Sequence, residues 1–478
     1  AVFCVERALE ADPKLSKAWV FYWDLLIKTG TWKKASDISA KVNQYTQQAI
    51  KAGRMPPESP FQNIVRVMDP AQNYAVARAW SRQLERKAAF SGVKYQFEGR
   101  IAPKNRITVG YLSFNFRDHP TSHLVQGLFS FHDRNRFSVN CYAYGEDDRS
   151  DIRKTIMESC DRFVDIQDMD DVGASKQIFN DHVDILVDLH GHTACNRMGI
   201  CALRPAPVAA RYLGMPGTTG ADFFDYLISD RIATPEDQAP YYSEAFVYMP
   251  DCYQVNDRGQ RKPECESERK DHGLPGEGFV FGCFGTNYKI DPDIVNTWIR
   301  VLKKVPDSVL WLLQRSDIFR QNLKDMFLKE DVPLSRVVFA KPLPTKAHLE
   351  RLTHCDLVLD TRIINGAATT SDAIWAGVPV LSVKGAHFAS RMSASILTAM
   401  GLEELITDDL KAYEETAVRI ALDRDVQSSL KEKIEKNITI KPLFDTASFV
   451  KHLERAYEQM VAIAKLGKPP IKIDIQSL

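Results

Sequence analysis

The stretch RIINGAATTSDAIWAGVPV, residues 362–380, predicts how the second half of this chain folds. An apolar run at 355–360 leads into a loop of very small residues, a short helical segment follows, and residues 378–383 have the composition of a new strand. A strand, a tight loop, a helix and another strand in this order are typical of a parallel sheet covered by helices. We therefore predict an α/β fold around this segment.

The loop in this stretch also predicts a phosphate site. The Gly-Ala-Ala sequence at 366–368 is small enough to let a phosphate approach free backbone N–H groups at the positive end of a helix dipole. Thr369 and Thr370 add hydroxyl donors, and Asp372 lies one turn into the helix, where a carboxylate can accept from a ribose hydroxyl. The alternative is a loop whose small residues serve packing alone.

The same alternation of strands and helices extends in both directions along the chain. Short β-rich runs occur at 107–112, 137–143, 183–189, 208–213 and 226–228, and again at 279–284, 309–313, 337–339, 357–360 and 380–383. A polar stretch, 256–276, separates the two series. We predict two doubly wound α/β domains in tandem, each of about 160 residues. Ligands of such domains bind in the crevice beyond the carboxyl ends of the strands.

Residues 1–60 have the spacing of a tetratricopeptide repeat, which is a helical hairpin. Pro13 precedes Trp19 as the proline ending one repeat precedes the tryptophan opening the next, Gly30 falls at the turn between two helices, and Ala35 falls at their close contact. An ordinary helical hairpin is the alternative. A single repeat cannot bury its apolar faces, so we expect further repeats ahead of these residues.

The remaining segments complete the predicted organisation. Helices are expected at 71–89, 413–429 and 447–466, and a basic linker is expected at 100–106. We predict five parts: a tetratricopeptide-type segment (1–60), a helical linker (61–105), a first Rossmann-like domain (106–270), a second Rossmann-like domain (271–445) and a C-terminal helix (446–478).

Composition and charge exclude several classes of protein. The 478 residues are 44% apolar and 26% charged, and 62 basic residues balance 62 acidic ones, so nothing indicates nucleic acid or an anionic membrane as a partner. No apolar run approaches the roughly 18 residues of a membrane span. The nine cysteines lack C-x-x-C spacing, which favours a reducing compartment, the cytoplasm or nucleus, and argues against a cysteine-ligated zinc site.

Four polar loops that follow predicted strands contain most of the candidate functional residues. They are NFRDHPTSH (115–123), DLHGHT (188–193), GMPGTTG (214–220) and GTNYKIDP (285–292). In the first loop, His119 could act as an acid, a base or a phosphate donor, or it could cap a helix or face solvent. In the second, Asp188 precedes His190 and His192, but this H-x-H lacks a further ligand at a diagnostic spacing, so we expect no metal.

The third and fourth loops indicate close approach of a ligand to the backbone. Three glycines and a proline at 214–220 mean a fixed turn that something approaches closely, either a ligand or the chain itself. Lys289 is a cation at a strand–helix junction and suits a phosphate, with a solvated lysine as the alternative. Thr286, Asn287 or Asp291 could cap the next helix.

The loops together predict a nucleoside diphosphate in the second domain and an acceptor against the first. The chain has no Walker A sequence and no G-x-G-x-x-G fingerprint, which argues against kinases and dinucleotide enzymes. No D-x-D sequence stands at a predicted strand end. A lysine and helix N-termini would then have to neutralise a leaving diphosphate without a metal ion.

Five segments, in order along the chain, resemble the O-GlcNAc transferase family, glycosyltransferase family 41, in its bacterial and protist form, and the related SPINDLY-like protein O-fucosyltransferases. They are GYLSFNFRDHPTSHL (110–124), ALRPAPVAARYLGMPGTTG (202–220), NYKIDP (287–292), VPDSVLWLL (305–313) and NGAATTSDAIWAGVPVL (365–381). The resemblance implies a GT-B fold, with two Rossmann-like domains facing a cleft behind the tetratricopeptide-type segment. It also implies an inverting, metal-independent transfer of sugar from a nucleotide to Ser or Thr.

Carried over residue by residue, the resemblance implies two catalytic groups. Lys289 corresponds to the lysine that stabilises the departing diphosphate, and His119 corresponds to the active-site histidine near the sugar and the acceptor. The positions implied to bind the donor are Leu213, Gly214 and Pro216 at the sugar, Thr286 and Tyr288 beside the lysine, Leu343, Thr345, His348 and Arg351 at the base and ribose, Gly366, Ala367, Ala368 and Thr369 at the diphosphate, and Asp372 at the ribose. The base that accepts the hydroxyl proton stays open among His119, Tyr288, Asp188 and a phosphate oxygen of the donor.

Four positions depart from the family pattern. Animal and many bacterial relatives carry His-Thr-Thr where this chain has Ala367-Ala368-Thr369. Thr345 stands where animal enzymes place a ribose-contacting lysine, and Thr286 replaces an amide residue. Loss of one charged contact costs about 1.5–3 kcal/mol.

The resemblance implies UDP-GlcNAc as the donor, no cofactor, and protein or peptide acceptors recruited by repeats, which could also join copies of the chain. One alternative is an O-fucosyltransferase that uses GDP-fucose, because DLHGHT resembles the plant branch. Tyr288-Lys289 and the HLER sequence (348–351) instead favour a uridine donor. Two further alternatives are a repeat scaffold with a weak catalytic unit, favoured by Ala367-Ala368, and an N-glycosyltransferase that uses UDP-glucose.

Overall fold

The computed structural model of the chain describes residues 1–97, 106–260, 262–264 and 266–476. Five helices come first: α1 (Val2–Ala11), α2 (Ser16–Lys28), α3 (Trp32–Lys51), α4 (Pro60–Arg66) and α5 (Pro70–Ser91). An alternating series follows: β1 (Ile107–Ser113), α6 (Pro120–Phe131), β2 (Phe137–Ala143), α7 (Asp151–Ser159), β3 (Arg162–Asp165), α8 (Asp171–Asn180), β4 (Ile185–Asp188), α9 (Met198–Ala202), β5 (Val208–Arg211), β6 (Tyr226–Ser229) and β7 (Ala245–Tyr248). The second series contains β8 (Val280–Cys283), α10 (Pro292–Lys304), β9 (Val309–Leu313), α11 (Asp317–Lys329), β10 (Val337–Ala340), α12 (Thr345–Leu352), β11 (Leu357–Leu359), α13 (Ala368–Trp375), β12 (Val380–Val383), α14 (Met392–Ala399), β13 (Ile406–Thr407), α15 (Leu410–Leu422) and α16 (Arg424–Ile440). The last elements are α17 (Thr446–Lys465) and β14 (Ile473–Asp474).

The described strands form two parallel sheets, ordered β14-β7-β6-β5-β4-β1-β2-β3 and β10-β9-β8-β11-β12-β13. Each sheet starts in its middle, extends to one edge and then reverses, which is the doubly wound order of Rossmann-type folds. The reversal lies between β1 and β4 in one sheet and between β8 and β11 in the other. The prediction of two doubly wound α/β sheets is confirmed, and each reversal is a point where such folds bind ligands.

Contacts divide the chain into two compact units that are each discontinuous in sequence. The β1 unit contains Ile50–Gly259 and Pro442–Leu478, and the β8 unit contains Ala1–Ala49 and Gln260–Lys441. Helices α1 and α2 and nearly all of α3 therefore belong with the second sheet, while α4, α5, α17 and β14 belong with the first. The five-part division made from the sequence stays a prediction, because it describes modules along the chain and the units follow contacts in space.

Strand β1 explains why helices cover both faces of the first sheet. Val109 and Tyr111 belong to one apolar core, which also contains Tyr457 of α17. Leu112 belongs to a second core on the other face, together with Met198 of α9. Successive side chains of a strand point to opposite faces, so both faces of β1 are buried, as expected of a parallel strand.

The turn between α2 and α3 packs against α11 of the β8 unit. Asn322 Nδ2 donates to the carbonyl oxygen of Thr29 at 2.8 Å, and the rings of Trp32 and Phe319 meet edge to face with centroids 5.8 Å apart. Gly30 has a φ of 71°, and a Cβ there would lie 3.1 Å from the Phe319 ring. Gly30 thus lies at the predicted turn between two helices. That residues 1–51 form a tetratricopeptide repeat stays a prediction.

The prediction of a single helix at 413–429 is wrong. Asp423 separates α15 from α16, and its carboxylate accepts from the backbone N–H groups of Asp425 and Val426. Such an N-cap starts a new helix and competes with continuation of the preceding one. Strands β3, β7, β13 and β14 were missed, because two to four residues are too few for alternation to show. Of the predicted basic linker, Arg106 alone falls within the described residues.

The described helices include none that is long and apolar enough to cross a membrane. All cysteines of the described residues are free thiols, and most of them are buried. Buried free cysteine behaves as a small apolar residue, which agrees with the positions of these cysteines inside apolar runs.

Candidate functional site

A pocket lies where the second sheet reverses. Its walls come from the loops after β8 and β11, from α12 and from the first turn of α13. The lining residues are Cys283, Phe284, Gly285, Lys289, His348, Leu352, Val358, Leu359, Asp360, Thr361, Gly366, Thr369 and Thr370. The structure thus brings together Lys289, His348, Gly366 and Thr369, which come from three separate segments of the sequence.

The small-residue loop of this pocket is closed by a buried carboxylate that sequence analysis did not single out. Oδ1 of Asp360, just after β11, accepts the backbone N–H groups of Thr361 and Gly366, both at 2.8 Å. Oδ2 accepts from the Ser382 hydroxyl at 2.8 Å. A Cβ on Gly366 would lie 2.2 Å from Oγ1 of Thr370, so the loop needs glycine. The available signal for Asp360 was an acidic residue at the end of an apolar strand.

The first turn of α13 presents unpaired backbone donors to the pocket. Ala367 precedes the helix and provides no side-chain cap, so the first N–H groups have no partner within the helix. The Thr370 hydroxyl lies 2.8 Å from Oγ of Ser393, which itself donates to the Gly366 carbonyl at 3.1 Å. Thr370 is therefore bound within the protein, and Thr369 is the threonine of this pair that remains for a ligand.

Lys289 lies against the same loop. It ends the short 3-10 turn Asn287–Lys289, and its Nζ donates to the Asn365 carbonyl at 2.9 Å. The Asn365–Gly366 peptide is thus held on both sides, by Lys289 at its oxygen and by Asp360 at its N–H. A half-buried ammonium group beside unpaired backbone N–H groups is an arrangement that binds phosphate.

His348 and Arg351 form a fixed pair at another wall of the pocket. Nε of Arg351 donates to Nδ1 of His348 at 2.9 Å, and the guanidinium carbon lies 4.9 Å from the centroid of the Phe284 ring. A guanidinium group has no acceptor, so Nδ1 carries a lone pair and the proton of the neutral imidazole is on Nε2. Burial lowers the pKa of His348 to about 4, and the Arg351 charge adds to this effect. The pocket therefore contains a fixed N–H donor that suits the carbonyl oxygen of a base.

Asp372 lies in α13 and does not line the pocket itself. Burial raises the pKa of Asp372 to about 7. Among the residues that the structure describes, its carboxylate makes no hydrogen bond. An unpaired carboxylate is suited to accept hydroxyl groups, so the predicted contact of Asp372 with a ribose stays a prediction.

The other predicted donor-binding positions of the β8 unit do not line the pocket. Leu343 is 40% exposed ahead of α12, and Thr345 is the first residue of that helix. Tyr288 is half-buried in the same turn as Lys289. Oγ1 of Thr286 is buried and has no hydrogen-bond partner among the described residues. Asp291 caps α10 by accepting two backbone N–H groups, with a proline at the first position of the helix.

In the β1 unit, His119 caps α6. Its Nδ1 accepts from the backbone N–H of Thr121 at 3.2 Å, and Pro120 begins the helix. The capping interpretation therefore applies, and it leaves the proton of the neutral ring on Nε2. Burial lowers the pKa of His119 to about 4, and the charge of Arg117 adds to the effect. At neutral pH the ring is thus an N–H donor and not an acid.

In the loop after β4, Asp188, His190 and His192 each have a different hydrogen-bond partner. Oδ2 of Asp188 accepts a backbone N–H of its own loop at 2.6 Å, and burial raises the pKa of this carboxyl to about 6. Nε2 of His192 lies 2.9 Å from the Thr219 carbonyl, whereas Nδ1 of His190 lies 2.6 Å from Oγ1 of Thr193. Within the described ranges, no group of three His, Cys, Asp or Glu side chains is placed to hold a metal ion.

The GMPGTTG turn is approached closely by the protein's own chain. Leu213 and Gly214 have φ values of 54° and 61°, and a Cβ on Gly214 would lie 2.6 Å from carbonyl oxygens of the loop after β4. A Cβ on Gly220 would lie 2.3 Å from the backbone nitrogen of Arg78. A left-handed leucine costs about 1–3 kcal/mol, which the surrounding contacts must offset. Pro216 is buried, whereas Gly214 is exposed.

Two parallel sheets in Rossmann order, with a pocket at the reversal of one of them, define an α/β protein with a GT-B type of fold. The family can then be assigned from the whole sequence. The model of the Glycosyl transferase family 41 matches residues 31–268 and 259–453, and the chain belongs to this family.

Relatives and a solved structure agree with this assignment. The Arabidopsis thaliana protein named "Probable UDP-N-acetylglucosamine--peptide N-acetylglucosaminyltransferase SEC" is 34% identical over 454 residues, covering 92% of this chain and 46% of the relative. The Caenorhabditis elegans UDP-N-acetylglucosamine--peptide N-acetylglucosaminyltransferase is 25% identical over 560 residues, covering 92% and 48%. The chain thus spans about half the length of these curated relatives. A variant of the Thermobaculum terrenum O-GlcNAc transferase has a similar fold, with a TM-score of 0.83, 24% identity, and coverage of 98% of this chain and 88% of that one.

Proposed function

We propose that this chain transfers N-acetylglucosamine from UDP-GlcNAc to Ser or Thr hydroxyls of proteins, with inversion at the anomeric carbon and without a metal or cofactor. The observation that carries the proposal is the pocket of the β8 unit. There Lys289, the first turn of α13 and the Arg351–His348 pair converge in a chain of family 41. The printed names of the relatives support the donor and the acceptor class.

The base-binding end of the pocket supports a uridine nucleotide. Because Arg351 occupies Nδ1 of His348, the ring offers Nε2–H as a donor. Uracil presents a carbonyl oxygen at its 4-position, whereas cytosine presents an amino group there. A fixed donor therefore favours UDP over CDP, and Asp372 supplies an acceptor for ribose hydroxyls.

The diphosphate end supports a leaving group stabilised by the protein. In the proposed reaction the acceptor oxygen bonds to the anomeric carbon, the bond from that carbon to the diphosphate oxygen breaks, and the hydroxyl proton passes to a base. Negative charge grows on the departing UDP, next to Lys289 and the N–H groups of α13. Stabilisation of such developing charge is usually the largest catalytic contribution. Because Nδ1 of His119 accepts the backbone N–H of Thr121 and its proton is on Nε2, His119 has no free lone pair, and Asp188, Tyr288 and a donor phosphate oxygen remain the candidates for the base.

The acceptor and the compartment are part of the same proposal. We propose that the N-terminal helices recruit protein substrates, as tetratricopeptide-type repeats do, and that they also allow copies of the chain to associate. Buried free thiols support a reducing compartment, the cytoplasm or the nucleus.

Calorimetric titration with UDP, GDP and CDP, each with and without EDTA, tests the donor. We expect micromolar affinity for UDP that EDTA does not change, and weaker binding of CDP. A preference for GDP would move the assignment to a GDP-fucose-dependent O-fucosyltransferase. Binding of none of the three would leave the fold in place and favour a repeat scaffold with a weak catalytic unit.

Replacement of Lys289 tests the chemistry. Lys289→Ala should reduce transfer of sugar from UDP-GlcNAc to a Ser/Thr peptide by at least about 100-fold, because a stabilising charge at the diphosphate is lost. The matched control is Lys384→Ala, which removes a half-exposed lysine that pairs with Asp408 at 3.0 Å. Near-normal turnover of the Lys289 variant, with an unchanged melting curve, would contradict the role proposed for this residue.

A further inference from the structure

His190 lies where the first sheet reverses, in a position that the proposed donor pocket does not use. Strands β1 and β4 are neighbours, and Leu112 pairs with Asp188 at their carboxyl ends. The loop after β1, which carries His119, and the loop after β4, which carries His190, therefore leave the sheet side by side. Doubly wound sheets bind ligands at such a reversal.

The hydrogen bonds of Thr193 determine the tautomer of His190. The Thr193 hydroxyl has one proton, and its Oγ1 is placed to donate to the His190 carbonyl at 3.1 Å. Oγ1 also lies 2.6 Å from Nδ1 of His190. Both contacts are satisfied when Nδ1 carries the imidazole proton and donates it to Oγ1. Nε2 of His190 then carries a lone pair.

This lone pair is buried and has no hydrogen-bond partner among the described residues. The His190 side chain is held rigidly, because the residue is 3% exposed and its ring packs edge-on against Phe114 with centroids 6.0 Å apart. Its carbonyl accepts the backbone N–H of Met215 at 3.1 Å, which also holds the backbone. Most buried polar atoms in proteins are paired, so an acceptor fixed in this way indicates a partner supplied by a ligand.

His119 offers the complementary group. Since Nδ1 of His119 accepts from the backbone of α6, its Nε2–H is a donor. Burial lowers the pKa of His190 to about 4, and the charge of Arg117 adds to the effect. Both rings are therefore neutral at physiological pH, one with a donor and one with an acceptor. An alcohol hydroxyl can serve both, whereas an ionised phosphate or carboxylate has no proton to give to Nε2 of His190.

A metal ion fits this arrangement poorly. Nε2 of His192 points to the Thr219 carbonyl and to Oγ of Ser81, at 2.9 and 3.1 Å, so it does not share a ligand with His190. Zinc sites in proteins need at least three protein ligands. The described residues bring no such third group to His190.

We propose that Nε2 of His190 accepts a hydrogen bond from an alcohol hydroxyl of a substrate, and that the strand ends of the β1 unit form a hydroxyl-binding subsite with His190 as acceptor and His119 as donor. This inference rests on the proposed function, which supplies two substrates with hydroxyl groups: the sugar of the donor and the Ser or Thr of the acceptor. The shared chemistry is an alcohol that donates to an unprotonated imidazole nitrogen.

Two isosteric substitutions separate the acceptor atom from the rest of the ring. The amide of His190→Asn replaces Nδ1, keeps the contact with Thr193 and leaves the position of Nε2 empty. The amide of His190→Gln places an acceptor oxygen near the position of Nε2. We expect His190→Asn to raise the KM of one substrate about tenfold, the effect of one lost hydrogen bond, and His190→Gln to restore part of this loss.

The affected KM identifies the source of the hydroxyl. A higher KM for UDP-GlcNAc in both transfer and acceptor-free hydrolysis would assign the hydroxyl to the sugar, and a higher KM for the peptide alone would assign it to the acceptor. UDP affinity should stay unchanged in both variants. Unchanged KM values in His190→Asn would overturn the proposal and leave an ordered water as the partner of Nε2. Failure of the wild-type protein to bind UDP at all would instead reject the proposed function.

Nitrogen NMR of histidine-labelled protein gives a readout that does not depend on activity. We expect the His190 resonances, assigned by their loss in His190→Asn, to show a protonated Nδ1 and an unprotonated Nε2 at pH 7. Titration with N-acetylglucosamine or with a Ser/Thr peptide should shift the Nε2 resonance for the substrate that supplies the hydroxyl. A protonated Nε2, or no shift with either probe, would overturn the inference even if the enzyme is active.

Discussion

Asp360 shows how one buried carboxylate shapes the small-residue loop of the pocket. It holds the N–H of Gly366 while Lys289 holds the carbonyl oxygen of the same peptide bond. Asp360→Asn would place an amide NH2 or a weaker acceptor against two backbone donors. We expect a loss of about 1–3 kcal/mol in the free energy of unfolding, measured by urea denaturation, and at least tenfold weaker UDP binding by calorimetry.

The matched control for Asp360 is Ser382→Ala, which removes only the hydrogen bond to Oδ2. It should cost stability but change UDP affinity little, because the bonds to Gly366 and Thr361 remain. Equal effects of the two substitutions on UDP affinity would show that Asp360 acts through general stability and not through the shape of the loop.

Asp372 predicts a pH dependence of nucleotide binding. Its pKa of about 7 means that the carboxylate, the form that accepts ribose hydroxyls, is lost as the pH falls below 7. UDP affinity should therefore fall about tenfold per pH unit below 7 and level off above it. Calorimetry between pH 5.5 and about 8.5 measures this. Asp372→Asn removes the titrating group, so its affinity should keep only the smaller pH dependence that comes from the phosphates of UDP.

The same shift has an opposite effect on stability. A carboxyl group whose pKa is raised on folding stabilises the folded state fully below its unfolded pKa, and this contribution disappears as the pH rises through the folded pKa. Because of Asp372, the free energy of unfolding should fall as the pH rises from 4 to 7. Asp372→Asn should make the free energy of unfolding less dependent on pH in this range. A pH-independent difference between the two proteins would contradict the raised pKa.

At the level of single residues, the sequence indicated those whose side-chain type is unusual at their position, and it missed those whose role depends on neighbours in space. Lys289 and Gly366 stood out because of their types and their places after strands, whereas His348 was implied only by the family resemblance. Asp360 was missed, because its role arises when the loop after β11 folds back onto the end of that strand. The acceptor at His190 depends on one threonine hydroxyl, and no spacing in the sequence specifies that contact.

Among the elements, the turn between α2 and α3 has a direct contact with the turn that carries Lys289. Nε1 of Trp32 donates to the Ile290 carbonyl at 3.1 Å, and Nδ2 of Asn287 donates to the Lys28 carbonyl at 3.4 Å. Trp32→Phe keeps an aromatic ring against Phe319 and leaves the Ile290 carbonyl unpaired. We expect a loss of about 1–3 kcal/mol in the free energy of unfolding and a larger fall in kcat than in UDP affinity.

Trp19→Phe is the matched control for this substitution. Nε1 of Trp19 also donates to a backbone carbonyl, that of Pro13, at 2.9 Å, but it does so within the N-terminal helices. Its loss should reduce stability without a specific effect on kcat. If both variants lower kcat equally, the N-terminal helices act on the reaction only through overall stability.

Elements were predicted well where their pattern is long and poorly where it is short. The runs at 137–143, 309–313 and 380–383 match β2, β9 and β12 residue for residue. The break at Asp423 was missed because apolar residues continue across it with helical spacing. Its capping role shows only in the hydrogen bonds to the next turn.

At the scale of the molecule, the two units can be destabilised separately, which tests which of them must be intact for UDP binding. Tyr457 of α17 and Tyr413 of α15 are both fully buried tyrosines, in the β1 unit and the β8 unit respectively. Tyr457 shares a hydrogen bond with Tyr111, whereas the Tyr413 hydroxyl donates to the carbonyl of Asp360 at 3.0 Å. Truncation of either to alanine should cost about 3–5 kcal/mol of stability. We expect Tyr413→Ala, and not Tyr457→Ala, to weaken UDP binding in calorimetry.

Amide hydrogen exchange shows which unit is destabilised in each variant. Faster exchange should be confined to the β1 unit in Tyr457→Ala and to the β8 unit in Tyr413→Ala. A loss of UDP affinity in Tyr457→Ala, with normal exchange in the β8 unit, would show that the nucleotide site depends on residues beyond that unit.

The division into units was beyond what the sequence could predict. Local periodicity reports which segments are strands and helices, and both sheets follow from it. The assignment of α1–α3 to the second sheet and of α17 to the first depends on contacts between residues hundreds of positions apart. Such contacts cannot be predicted from the composition of a segment or from the spacing of its residues.

This interleaving has a consequence for how the protein is made. Helices α1–α3 leave the ribosome well before the sheet against which they pack, and the chain grows at roughly 5–20 residues per second. The indole of Trp32 is therefore made tens of seconds before its partners Ile290 and Phe319. The contact between the turn after α2 and the β8 unit can form only late in translation.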